Sequence, residues 1–70
     1  MKLKNNLKQI RLAKKISLEN ACLLTDISYT TLWRYENSIT TITVINLIKL
    51  LQLYNVSFYD VFEVKESVNG

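Results

Sequence analysis

Residues 17–37 read SLENACLLTDISYTTLWRYEN. Ser17 is a good helix N-cap, and Glu19 places negative charge in the first turn, where it suits the helix dipole. The mostly apolar run 18–24 then predicts a short helix. Thr25, Asp26 and Ile27 break it, and Ser28 caps a second helix over 29–37. Two helices of about two turns joined by a three-to-four-residue turn make a helix-turn-helix. At about 100° per residue, Tyr29, Thr30, Trp33, Arg34 and Asn37 share one face of the second helix, and Thr31, Leu32 and Tyr35 lie opposite. Leu32 and Tyr35, with Ile27 just before, are expected inside. The other face carries two aromatics, a Thr, an Arg and an Asn rather than the Lys and Glu of a solvated surface, so it calls for a partner.

On the N-terminal side, Asn5 or Asn6 can cap a helix running to about Lys14, with Leu7 and Ile10 facing the core. Lys14 and Lys15 complement its dipole, and Ile16 plugs the space before the next helix. In that next helix Ala21, Cys22 and Leu24 are expected inward and Leu23 more exposed. On the C-terminal side, 38–42 reads as a loop and Thr43 caps a long helix over 44–54. Val44, Leu47, Ile48, Leu51 and Tyr54 form its expected core stripe, with Lys49 and Gln52 outside. Asn55 suits a left-handed helix end. Ser57 caps a last short helix, 58–62, which docks through Val61 and Phe62. Phe62 and Val64 alternate with Glu63 and Lys65 and can pair with Met1–Lys4 as a short terminal β-ribbon.

Seventy residues, 49% of them apolar, with no Pro and a single Gly at position 70, point to one all-α domain spanning 1–70 with short connections. The lone Cys22 permits neither an internal disulfide nor a zinc cluster and suits a reducing cytoplasm. No His is present, which removes the commonest metal and acid–base chemistry. Without a Cys pair, a Gly-rich phosphate loop or a carboxylate cluster, nothing remains from which to build an enzyme. No cofactor or small-molecule ligand is implied. No apolar run approaches 18 residues, so a membrane span is not expected, nor is a secretion signal. The net charge is +3. Residues 1–38 hold seven Lys/Arg and three acids, giving +4, whereas 39–70 hold two and three, giving −1. The basic half is the half with the helix-turn-helix.

LKQIR at 7–11, Ile16–Ser17, LTDIS at 24–28, TLWRYEN at 31–37 and TVINLIKLLQLYNVSFYDVF at 43–62 follow one another in order. In order and spacing they resemble the phage-repressor/Cro-type DNA-binding family, also called the xenobiotic-response-element family, over a core of 6–62 with its helix-turn-helix at 17–37. The resemblance implies a compact five-helix, lambda-repressor-like domain. It implies that Arg11 and Glu36 form a partly buried ion pair tying the first helix to the third. It places Ser28, Tyr29, Thr30 and Arg34 at positions that touch bases or phosphates. Arg34 would bond a guanine edge; Tyr29 and Thr30 would meet a thymine methyl or a phosphate. Asn37, Ser17 and the first amides of the second helix would grip phosphate.

Three departures stand out. Leu18 occupies a position where the family very often has a phosphate-holding Gln. Lys15, Asp26, Ser38 and Asn55 stand where its turns usually carry glycine, with strain expected at Ser38. Trp33 replaces a more often polar residue and could meet the sugar-phosphate backbone, a second copy, or its own neighbours. The resulting expectation is a sequence-specific repressor that inserts 29–37 into the major groove of a palindromic operator as a homodimer. Ile45, Val56, Phe58 and Tyr59 are the candidate dimer surface. A protein-interaction module, such as an antitoxin or accessory factor on the same fold, is the alternative.

Overall fold

A computed structural model describes residues 4–62. Five helices follow in order: α1 Leu7–Ala13, α2 Leu18–Thr25, α3 Tyr29–Glu36, α4 Val44–Tyr54 and α5 Phe58–Val61. Four of the five begin with a hydroxyl cap. Ser17, Ser28, Thr43 and Ser57 each accept the backbone N–H three residues on, at 3.1 to 3.3 Å. At α5 the cap is reciprocal, because Asp60 Oδ2 accepts from the Ser57 N–H at 2.8 Å. That bond, with a second from the Ser57 hydroxyl, holds the Asp60 carboxyl below its usual range. At α1 the N-cap residue, Asn6, makes no side-chain cap bond; Asn5 does so from one residue earlier, its Oδ1 accepting from the Leu7 N–H at 3.1 Å.

The ends of α1 to α4 obey one rule. Lys15, Asp26, Ser38 and Asn55 all have φ between 54° and 58°, the left-handed region that glycine fills at little steric cost. At α1, α3 and α4 this residue starts a paired closure. For α3, the Ser38 N–H donates to the Tyr35 carbonyl at 3.1 Å and the Ile39 N–H to the Arg34 carbonyl at 2.9 Å, and α1 and α4 repeat the pattern. Each turn tucks an apolar residue, Ile16 or Val56, against the core or, for Ile39, leaves it exposed.

The core is formed by Leu7, Ala21, Ile27, Leu32, Tyr35, Leu50, Tyr54, Val61 and Phe62. Ile10, Ile16, Leu18, Cys22, Leu47 and Leu51 pack around it. Three expectations are corrected. Leu24 is 67% exposed, and Thr25 is buried in its stead, its hydroxyl satisfied by donating to the Ala21 carbonyl at 2.6 Å. In α4, Val44 and Ile48 are exposed and Leu50 is wholly buried, so the stripe runs through Leu47, Leu50, Leu51 and Tyr54. α4 is apolar nearly all round, so periodicity alone leaves its rotation open; the bond from Asn46 Nδ2 to the Tyr35 hydroxyl (2.9 Å) turns it toward α3. Lys49 is half-buried rather than fully outside. Burial pushes the Tyr54 hydroxyl up to about 12, with the Glu36 charge adding to the effect, and that hydroxyl has no hydrogen-bond partner among the described residues.

Among the described residues, the two terminal stretches pair through a single antiparallel bridge, Asn5 to Phe62. The Asn6 N–H donates to the Val61 carbonyl at 2.8 Å and its Nδ2 to the Asp60 carbonyl at 3.3 Å. The rest of the expected ribbon, at Met1–Leu3 and Val64, lies outside the described residues. Between α1 and α3 stands the ion pair. Arg11 Nε donates to Glu36 Oε2 at 2.8 Å and Nη2 to Oε1 at 3.1 Å, with the two side chains 8% and 3% exposed. Nη1 donates to the Ile16 carbonyl at 3.0 Å.

Glu36→Ala leaves the buried Arg11 guanidinium uncompensated and is expected to destabilise the fold by about 2–4 kcal/mol; an unchanged midpoint in urea would refute the pair's structural role. Ser38→Gly relieves a left-handed backbone that serine tolerates poorly, less the added freedom of the unfolded chain. The expected gain is about 0.5–1 kcal/mol, larger than for Asn55→Gly. Thermal melts of both variants check the order, and equal or reversed gains would contradict it.

Candidate nucleic-acid interface

α3 owes its outward face to what holds its back. Leu32 and Tyr35 are buried, and Glu36 is locked to α1. This turns Tyr29, Thr30, Trp33, Arg34 and Asn37 outward; all five are exposed, Tyr29 at 53% and Trp33 at 46%. They form one continuous strip on a helix about 12 Å long. Arg34 has no hydrogen-bonding or ionic partner among the described residues, so its planar fork is free to take a bidentate acceptor.

The polar residues at the edge of the strip differ in what they have left to give. Ser28 accepts the Thr31 N–H and donates its proton to Thr31 Oγ1 at 2.7 Å, so its hydroxyl is committed to the start of α3. Asn37 spends one Nδ2 hydrogen on the Trp33 carbonyl at 2.8 Å and keeps its second hydrogen and Oδ1. Ser17 accepts from the Asn20 N–H and retains its own proton. Ser17 also takes the Ala21 N–H on its carbonyl at 3.0 Å. The Leu18 and Glu19 amides are therefore the ones left open at the head of α2. Leu18 is half-buried against the core, so its side chain packs inward instead of braces an anion.

Charge is distributed to match. Lys4, Lys8, Lys14 and Lys15 are exposed, whereas Arg11 is neutralised inside by Glu36. An open cleft of about 560 Å³ between α2 and α3 is bordered by Glu19, Leu23, Asp26 and Tyr29. Its two carboxylates disfavour an anion. Burial pushes the Cys22 thiol up, so it is not poised as a nucleophile. No group of metal-ligating side chains occurs among the described residues, and no helix there is long and apolar enough to cross a membrane.

Of the four residues expected on a dimer surface, Ile45 and Tyr59 are open, at 68% and 79% exposed. Phe58 is partly committed to Phe62, the ring centroids being 4.7 Å apart. Val56 packs against the core. Sequence reading missed Asn5, whose Nδ2 donates to the Tyr35 carbonyl at 2.8 Å across the domain. No local pattern carries that contact, since it joins residues 30 positions apart.

No curated protein matches the chain. The family model described as helix-turn-helix matches residues 7–61, which takes in all five helices. The chain thus belongs to the Cro/C1-type helix-turn-helix family, the xenobiotic-response-element family of DNA-binding transcription regulators.

Proposed function

We propose that this protein is a sequence-specific repressor that inserts α3 into the major groove of its operator. The observation that carries the reading is the outward strip of α3, presented by a helix whose back is locked. Tyr29, Thr30 and Arg34 read base edges. Arg34 is suited to the O6 and N7 acceptors of a guanine, and Tyr29 or Thr30 to a thymine methyl. Ser17, Trp33 and Asn37, with the open amides of α2, hold the flanking phosphates. Ser28 supports them by fixing the start of α3. The exposed lysines of α1 and the turn after it supply sequence-independent attraction.

The same single domain would carry self-association, through Ile45 and Tyr59 with Phe58 at the edge. Two copies related by a two-fold axis would read a palindrome with half-sites about one helical turn apart. Repression follows simply from occupying a promoter, and the cytoplasm is the compartment that fits a DNA-binding chain with a free thiol. A second reading, a module that binds protein through the same fold, is favoured by the half-exposed Trp33 and by Leu18.

Selection from a random duplex pool should return inverted repeats with centres about 10 base pairs apart. With about five phosphates neutralised, affinity for the selected duplex should fall roughly 500-fold between 50 and 200 mM salt. Single half-sites would refute the dimer, and salt-independent or absent binding would favour the protein partner. Arg34→Ala should cost about 1–3 kcal/mol of discrimination at one base pair per half-site and leave the melting temperature in place. Unchanged preference at every position would show that Arg34 does not read bases.

A further inference from the structure

We propose that Asn5 is a positioning residue for DNA recognition: its carboxamide bolts the C-terminal end of α3 to the start of α1 and so sets the angle at which the reading strip meets the groove. This rests on the DNA-binding reading above. The amide is held at both ends. Its Oδ1 accepts from the Leu7 N–H at 3.1 Å, and its Nδ2 donates to the Tyr35 carbonyl at 2.8 Å. The Ser38 hydroxyl stands at the limit of the same Nδ2, at 3.5 Å. The Asn5 backbone is itself fixed by its bridge to Phe62. The Tyr35 carbonyl also takes the Ser38 N–H at 3.1 Å, so both of its lone pairs are occupied. Asparagine is the shortest side chain that offers an acceptor and a donor on separate atoms.

The attachments of α3 are unevenly placed. Tyr35 and Glu36, at its C-terminal end, receive Asn5, Asn46 and Arg11. At its N-terminal end, the side-chain hydrogen bonds among the described residues stay within Ser28 and Thr31. The hydrogen-bonded anchorage of α3 is therefore concentrated near Tyr35, while Leu32 in its middle is held by packing alone. Tyr29 is six residues, about 9 Å, from that anchor. A tilt of about 10° moves it roughly 1.6 Å, beyond the ~0.5 Å that a hydrogen-bonded recognition site tolerates. Arg11 alone holds one point; Asn5 supplies another beside it and removes the rotation that a single point permits.

The test compares the full chain with Asn5→Ser and Asn5→Ala on a duplex selected with the wild type and on a random-sequence duplex of equal length, well below the melting temperature. Serine keeps an acceptor for the Leu7 N–H, adds no charge, and is too short to reach the Tyr35 carbonyl. Circular dichroism reports that each variant is folded. The expected result is that the specific-to-random affinity ratio falls about tenfold in both variants, with random-duplex binding unchanged. The emission of Trp33, the single tryptophan, should also change on the selected duplex differently from the wild type. A merely structural role would lower the melting temperature and leave the ratio alone; a wild-type ratio in folded Asn5→Ser overturns the positioning role. A wild-type chain that fails to bind either duplex overturns the DNA reading instead, and the positioning role with it.

Discussion

One guanidinium governs the geometry of this small protein. Arg11 reaches the end of α3 through both oxygens of Glu36 and the start of α2 through the Ile16 carbonyl. Three parts of the chain are thus fixed by a rigid planar fork that an ammonium could not imitate. The hydrogen bond to Glu36 raises the Arg11 pKa further above its already high value, so the charge persists at any pH the fold survives. A buried pair of this kind is costly to desolvate, and its yield is register rather than raw stability. The yield here is the attitude of α3, which Leu32 and Tyr35 then seal by burial.

The pair also shapes the field outside. Because Arg11 and Glu36 cancel each other within the fold, the positive potential comes from exposed lysines on and beside α1 and from Arg34 on α3. On the proposed reading this separates two tasks. Lysines around the strip supply salt-sensitive attraction to phosphate. The strip itself, with one cation, two aromatics and short polar side chains, is left to discriminate. An interface with its charge at the centre would bind more tightly and read less.

Much of this was legible in residues 17–37 and in the caps. Ser17, Ser28, Thr43 and Ser57 act locally, through bonds to residues three positions on, so a linear reading finds them. The outward strip followed from angle alone, because Leu32 and Tyr35 are the only large apolar pair opposite it. The left-handed backbone at Asn55 could be read from the residue itself; at Lys15, Asp26 and Ser38 it was legible only through resemblance, since neither Lys nor Ser advertises that conformation. α4 defeated periodicity because apolar residues surround it, and its rotation is set by Asn46 meeting a tyrosine on another helix. Thr25 reads as a helix breaker, yet it is the last residue of α2 and is buried, because its hydroxyl finds its partner inside its own helix. Asn5 was invisible as anything more than a cap, for its second contact exists only once α1 and α3 are assembled.

The bridge from Asn5 to Phe62 and the bonds from Asn6 to Asp60 and Val61 bring early and late parts of the chain together. In kinetic terms, those contacts close a loop of more than fifty residues, and the entropy of closing it is met late in folding. On a ribosome, α1 to α4 emerge before residues 60–62, so Asn6 has no partner there until those residues are out. Asn5 can grip α3 earlier, but the bridge to Phe62 that steadies its backbone cannot yet exist. Until residue 62 is out, α3 is formed without the full set of contacts that hold Asn5 in place.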